Sequence, residues 1–190
     1  MNEDRRIRRT RQFLRNAFLG LLKEKRYEDI SVQDIIERAD VARSTFYAHY
    51  TDKEDLLVGQ RGVFASDVQR HADVPQAEKK SQLTPPICFW HNIRAQRDIF
   101  KIIARDTAMD VTMKDLHNKL CVNIQAEIQQ HRPRQSTVPA ALMVDYLADS
   151  IITLVKWWVK QGMAYSPEQM DEMFHQMTMP VVGSKVPFSS

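Results

Sequence analysis

Apolar residues recur at helical spacing along most of the chain, and no run of alternating β-branched residues demands a sheet. Val32, Ile35, Ile36 and Ala39 stand at i, i+3, i+4 and i+7, a single buried stripe that breaks at Asp40. Ser31, with Asp34 three positions later, is a capping pair, so this helix should begin at Val32. The turn that follows needs a residue tolerant of left-handed backbone angles, and Asp40 fills that place acceptably. A second short helix, from about Ala42 to His49, turns Val41, Phe46 and Tyr50 inward and leaves Arg43, Ser44, Thr45, Tyr47 and His49 toward the outside or the rim. Thr51 and Asp52 are alternative caps for a third helix that starts at once with Lys53.

Further along, the pattern predicts a joining helix from Lys53 to about Ala72, with Leu56, Leu57, Phe64 and Val68 inside, and a polar linker over Asp73 to Thr84. Thr84, Pro85 and Pro86 open a helix holding Ile87, Phe89, Trp90 and Ile93, and Asp98 to Arg105 carries Ile99, Phe100, Ile102 and Ile103. A long helix over about Ala108 to His131 has Met109, Met113, Leu116, Leu120, Ile124 and Ile128 on one stripe. Val138 to Gln161 is the most apolar stretch, with Gly162 as its stop. Ser166, Pro167 and Gln169 then open a last helix containing Met170, Met173, Phe174 and Met177, and Pro180 to Ser190 should fray. The expectation is an all-α, nine-helix protein.

Its 190 residues, 43% of them hydrophobic and only five glycine, suffice for two helical domains. We place a three-helix DNA-binding domain at 1–52 and a helical effector-binding and dimerisation domain at 53–190, with 53–72 connecting them. Charge changes the picture most. Between Met1 and Arg26 nine Lys/Arg stand against three Asp/Glu, a net +6, while the remaining 164 residues sum to −3. Such segregation is the electrostatic footprint of nucleic-acid binding.

An outer face of Arg, Ser, Thr, Tyr and His is a hydrogen-bonding surface. Arg43 can donate two parallel bonds to guanine O6 and N7, Thr45 can offer its methyl to thymine, and Tyr47 and His49 suit phosphate oxygens at the groove wall. Lys53, in the first turn of its helix, could clasp a phosphate together with the helix N-terminus. Short helix pairs with polar outer faces also occur in purely structural bundles, where Arg43 and Tyr47 would be solvated surface; the charge layout favours the DNA reading.

These residues resemble the amino-terminal domain of the tetracycline-repressor (TetR) family of bacterial regulators. The likeness rests on Phe13, Leu14, Ala17, Phe18, Leu21 and Leu22, on Tyr27 through Ser31, and above all on Arg43 to Tyr50 with Lys53, Glu54, Leu56 and Leu57. Asp40 and Ser44 depart from it, standing where that family usually or often has Gly. The resemblance implies that Ser31, Val32 and Gln33 touch phosphate, that the Arg43 to Tyr47 helix enters the major groove, and that Lys53 grips the DNA backbone. It also implies that the last two helices pair with those of a second subunit.

A single helix pair makes few base contacts, so we expect a homodimer on a near-palindromic operator. Its seam would use Leu147, Ile151, Leu154, Val155, Trp158, Met170, Phe174 and Met177, although the same stripe would serve equally as the subunit's own core. Trp90, His91, Phe100, Met109, Met113, Leu116, His117 and Leu120, with Ile93, could line a cavity for a small apolar effector. They would serve equally as plain core. His117 and Cys121, one turn apart, are only two ligands without nearby carboxylates, and Cys88 and Cys121 form no C-x-x-C pair, so neither metal nor disulfide is expected. No cofactor motif, Gly-rich phosphate loop, H-E-x-x-H or G-x-S-x-G occurs, which argues against an enzyme. The Arg-rich start lacks the apolar core of a secretory signal and no long apolar run occurs, so a cytoplasmic location is expected. The leading reading is a repressor released by an effector; the other is an effector-independent nucleoid or division factor.

Overall fold

The structure, a computed structural model, describes residues 2–59, 85, 87–104, 106–131 and 138–183. Among these residues there are no strands. The helices are α1 (Asn2–Glu24), α2 (Val32–Ala39), α3 (Arg43–Tyr47), α4 (Lys53–Val58), α5 (Ile87–Ala95), α6 (Arg97–Ile103), α7 (Thr107–His131), α8 (Ala140–Lys160) and α9 (Pro167–Gly183), with a 3-10 turn over Tyr27–Asp29. The all-α, nine-helix expectation holds for the described residues. The expected helix over 53–72 is described only as α4; its remainder, with Phe64 and Val68, and the expected linker over 73–84 lie outside the described residues, as do 184–190.

The chain divides into two compact units: Met1–Arg70 with Asp98–Thr112, and His71–Arg97 with Met113–Ser190. The expected boundary after residue 52 therefore differs from the grouping of contacts, because most of α6 and the first turn of α7 join the amino-terminal helices. The cause is visible at the 3-10 turn. The Tyr27 N–H donates to Asp106 Oδ2 at 2.5 Å, and the Thr107 hydroxyl donates to Glu28 Oε2 at 3.0 Å.

In the first unit α1 packs along α2, and Leu14, Phe18, Leu21, Ile30, Ile35, Phe46, Tyr50, Leu56 and Leu57 are buried. Burial of these side chains is the main stabilising term, since each fully buried Leu, Ile or Phe contributes roughly 1.5–3 kcal/mol. A Cβ at Gly20 would stand 2.9 Å from the Arg38 guanidinium, the tip of a flexible side chain that reaches across to Glu24 at 2.5 Å.

In the second unit Trp90 of α5 lies edge-on to Trp158 of α8, centroids 6.2 Å apart, and 6.3 Å from Phe174 of α9. The stop after α8 is built as its sequence suggests. Gly162 takes φ 66, Met163 follows at φ 56, and the Met163 N–H returns to the Trp158 carbonyl at 2.8 Å. The Met163 carbonyl then accepts from the Arg94 guanidinium, and the Trp158 indole donates to the Tyr165 carbonyl at 3.1 Å. Ser166 and Gln169 cap α9 reciprocally, at 2.8 and 3.3 Å.

The expected dimer seam is for the most part covered within this one chain. Leu147, Ile151, Leu154, Val155, Trp158, Met170 and Phe174 are buried inside one subunit, between their own helices, and Met177 alone of the eight is exposed. The apolar residues that α8 leaves outside are Leu142, Tyr146 and Trp157, on the opposite side of the helix.

Candidate nucleic-acid interface

Backbone satisfaction places α2 and α3. The Asp34 N–H donates to Ser31 Oγ at 3.1 Å while Asp34 Oδ2 accepts from the Ser31 N–H at 2.7 Å, so the predicted capping box is present. Lys25 joins it at 2.8 Å from Asp34 Oδ1, and hydrogen bonds from Lys25 and Ser31 hold the Asp34 carboxyl well below the usual carboxylate range. Asp40 occupies the left-handed region, φ 51 and ψ 53, as the turn demanded. The Val41 N–H then returns to the Ile36 carbonyl at 3.3 Å, and Val41 itself is half-buried rather than fully inside.

Helix α3 is one short rod, Arg43–Tyr47, narrower than the expected span to His49 and continued as a turn by Tyr50 N–H to Phe46 O at 2.9 Å. Phe46 and Tyr50 fix it to the core, with rings 5.9 Å apart. Arg43, Ser44 and Tyr47 are exposed, and Thr45 and His49 are half-buried beside them. The Arg43 guanidinium lies 5.5 Å from the Tyr47 ring centroid, a cation–π contact that restrains a long side chain without occupying its donors. Ser31 is exposed, and Val32 and Gln33 lie on the first turn of α2. Ser31 Oγ is already engaged with Asp34, at 2.6 Å from Oδ2.

Lys53 departs from expectation. Its ammonium donates to the carbonyls of Tyr27, Glu28 and Ile30 at 2.8, 3.3 and 2.8 Å and stands 4.4 Å from the Tyr27 ring centroid. An ammonium has three donors, and all three are directed at the 3-10 turn. Lys53 is thus placed as an internal clasp on that turn. The same turn is held by Asp106. Burial alone would raise that carboxyl, but bonds from the Tyr27 and Ala108 N–H groups and the Thr107 hydroxyl outweigh it and keep the group low. Burial, with the charges of Glu54, Asp52 and Asp106, pushes the Tyr27 phenol up to about 12. Sequence reasoning missed Asp106, whose only local signal was its position before α7.

The expected pocket residues divide between the units: Phe100 and Met109 fall in the first, and Trp90, His91, Met113, Leu116, His117 and Leu120 in the second. Trp90 is fully buried, yet its indole Nε1 meets no acceptor among the described residues. Met113 and Leu120 are buried, and Leu116 is half-buried. His91 is exposed and pairs with Glu168 at 3.1 Å. His117 Nε2 pairs with Asp149 Oδ1 at 3.2 Å and its ring lies 3.6 Å from Cys121 Sγ, so a carboxylate does stand near the pair in space. Burial and the charges of Asp145 and Asp149 push the Cys121 thiol up, the opposite of a reactive cysteine. Among the described residues no three potential ligands gather as a metal site.

A capped short helix, a left-handed turn and a second helix with an exposed basic and hydroxylic face define a helix-turn-helix head, the architecture of DNA-binding regulators. Comparison with known proteins agrees. Residues 16–59 match the family model described as bacterial regulatory proteins, tetR family, and residues 90–180 match that of a transcriptional regulator C-terminal region. The chain belongs to the TetR family.

It is 26% identical over 177 residues, 91% of its length, to the uncharacterized HTH-type transcriptional regulator YxbF of Bacillus subtilis, covering 45% of that protein. Over 48 residues, a quarter of the chain, it is 38% identical to DhaS of Lactococcus lactis, an HTH-type dhaKLM operon transcriptional activator, covering 26% of it. The chain thus spans less than half the length of the curated relatives it matches. Among solved structures, a TetR transcriptional regulator from Streptococcus agalactiae has a TM-score of 0.65 at 27% identity, with 93% of this chain and 97% of that one covered. The family model and these relatives describe transcriptional regulators, not enzymes. No helix among the described residues is long and apolar enough to cross a membrane.

Proposed function

We propose that the chain is a homodimeric regulator that binds a near-palindromic DNA operator through α3 and is released by a small apolar effector, acting as a repressor in the cytoplasm. The observation that carries the DNA reading is the Arg43 guanidinium, exposed and steadied over Tyr47 on a helix anchored by Phe46 and Tyr50. In the major groove its two parallel donors match guanine O6 and N7. Thr45 offers a methyl to thymine, while Ser44, Tyr47, His49 and the α2 start at Ser31, Val32 and Gln33 face backbone phosphates. Lys53 is left out of this set, because its donors already hold three carbonyls.

Geometry supports dimerisation: one five-residue rod reads few bases, and a two-fold partner doubles the contacts. The apolar face of α8, Leu142, Tyr146 and Trp157, with Met177 of α9, supports an isologous interface between copies. For the effector, the support is Trp90. A buried donor without an acceptor costs about 1–3 kcal/mol, a cost that an acceptor on a bound ligand would remove. An effector releases DNA only if it binds the DNA-incompetent arrangement more tightly. The alternative, an effector-independent nucleoid or division factor, requires a second unit without a ligand site.

Fluorescence anisotropy with duplexes from upstream of the gene tests the DNA reading. Saturable, salt-sensitive binding is expected, with Arg43→Ala costing about 1–3 kcal/mol on the operator and little on random DNA. Equal losses on both sequences would remove Arg43 as the base reader. A thermal-shift screen of apolar small molecules tests the effector, a hit raising Tm in wild type and not in Trp90→Phe. A reporter fused to the operator reads the sign of regulation, derepression on deletion being the expected result.

A further inference from the structure

We infer that the turn of α1 from Arg6 to Thr10 forms a second contact with the duplex, in which Arg6 donates to a backbone phosphate beside α3. This rests on the DNA-binding reading above and adds residues to it. Helix α1 begins at Asn2, well ahead of residue 16 where the tetR family match starts. The part between holds Arg5, Arg6, Arg8, Arg9, Arg11 and Arg15 against Glu3 and Asp4.

The stripe that buries Leu14, Ala17, Phe18 and Leu21 continues back along the helix through Thr10 and Ile7, four and seven residues before Leu14, to Arg6. There it no longer meets core. Instead Arg6, Ile7 and Thr10 form one wall of an open groove of about 390 Å³ whose other wall is Ser44, Thr45 and His49 of the α3 segment.

The lining fits a sugar-phosphate strand. Among the described residues no carboxylate lines the groove. Arg6 is exposed, and its planar fork can bind two phosphate oxygens, while Ile7 offers apolar contact to a deoxyribose. The Thr10 hydroxyl donates to the Arg6 carbonyl at 3.1 Å, an added tie within the turn that carries Arg6. One wall belongs to the reading helix itself, so a duplex engaged by α3 brings its flanking strand here. Of the neighbouring cations, Arg9 lies over the Phe13 ring at 5.3 Å, and Arg5 is on the far side of the helix from Thr10.

The test is the salt dependence of binding by the full chain on operator and on random duplex. Arg6→Ala is expected to lower the slope of log K against log salt by about 0.9 per half-site and to weaken both duplexes alike. Arg6→Lys should restore most of the slope. Methylphosphonate substitution should identify one phosphate per half-site that matters to wild type and not to Arg6→Ala. Arg5→Ala should leave the slope near the wild-type value. A wild-type slope in Arg6→Ala, or equal changes in Arg6→Ala and Arg5→Ala, would overturn the inference while leaving the DNA-binding reading intact. Absence of duplex binding by wild type would instead overturn that reading itself.

Discussion

The amino-terminal head and the second helical unit are both α-helical, but they are specified by different physics. In the head, α2 and α4 each start at a side-chain cap, Ser31 with Asp34 and Asp52 with Asp55, and α2 stops at a left-handed Asp40. Those signals are local, and each names its own partner. In the second unit α8 has only an apolar stripe and a glycine stop, and a stripe states that a face is buried without stating against what. The first kind of information fixes where a reading helix stands; the second fixes only that a core exists.

The sharpest break between the two would come from Trp158. Fully buried between its own helices, it should lose about 3–5 kcal/mol of unfolding free energy on Trp158→Ala in denaturant titration, with no change in oligomeric state of the folded fraction. Leu142→Asp together with Trp157→Asp should do the reverse, yielding folded monomer by sedimentation. A monomeric, fully stable Trp158→Ala protein would return the seam to the residues first expected.

Next in size is Lys53. Removing its ammonium in Lys53→Met leaves three carbonyls without their charged donor, and hydrogen bonds to charged groups contribute about 1.5–3 kcal/mol. Thermal melting should show that loss, while the salt slope of DNA binding by the folded protein stays unchanged. A flattened slope with an unchanged melt would make Lys53 the phosphate grip that the family resemblance implied.

Ser31→Ala should cost about 1 kcal/mol by loss of the cap, without altering which DNA sequence is preferred.

Acid gives the smallest and most diffuse effect. Asp34 is held low by Lys25 and Ser31, Glu24 by Arg38, and Asp106 by the N–H groups around it despite its burial. Carboxyls depressed in the folded state contribute fully above their unfolded pKa of about 4, and the contribution is lost as pH falls through the folded values. Melting temperature should therefore decline below about pH 4, and Asp34→Asn should make that decline shallower.

Much of the head was legible because its decisive interactions are short in sequence: the capping box, the Asp40 turn, the inward Phe46 and Tyr50 and the outward Arg43. What was not legible came from distant residues. Lys53 meets carbonyls 23 to 26 positions away, and Asp106 reaches Tyr27 across 79, so neither role has a periodic signature. The same holds for the Arg94 to Met163 contact and the His117 to Asp149 pair. A surface between copies is hard to read for the complementary reason, since the most hydrophobic face of α8 is the one its own subunit covers, and the exposed face is mixed, Leu142 and Tyr146 beside Asp145 and Asp149.

The central claim, that α3 reads duplex bases through Arg43, is tested most directly by selecting binding sites from a random duplex library with wild-type protein and with Arg43→Ala. Wild type should enrich a two-fold symmetric motif containing a guanine in each half, and Arg43→Ala should recover the same motif with that position flattened. An identical motif from both proteins, or no enriched motif from wild type, would contradict it.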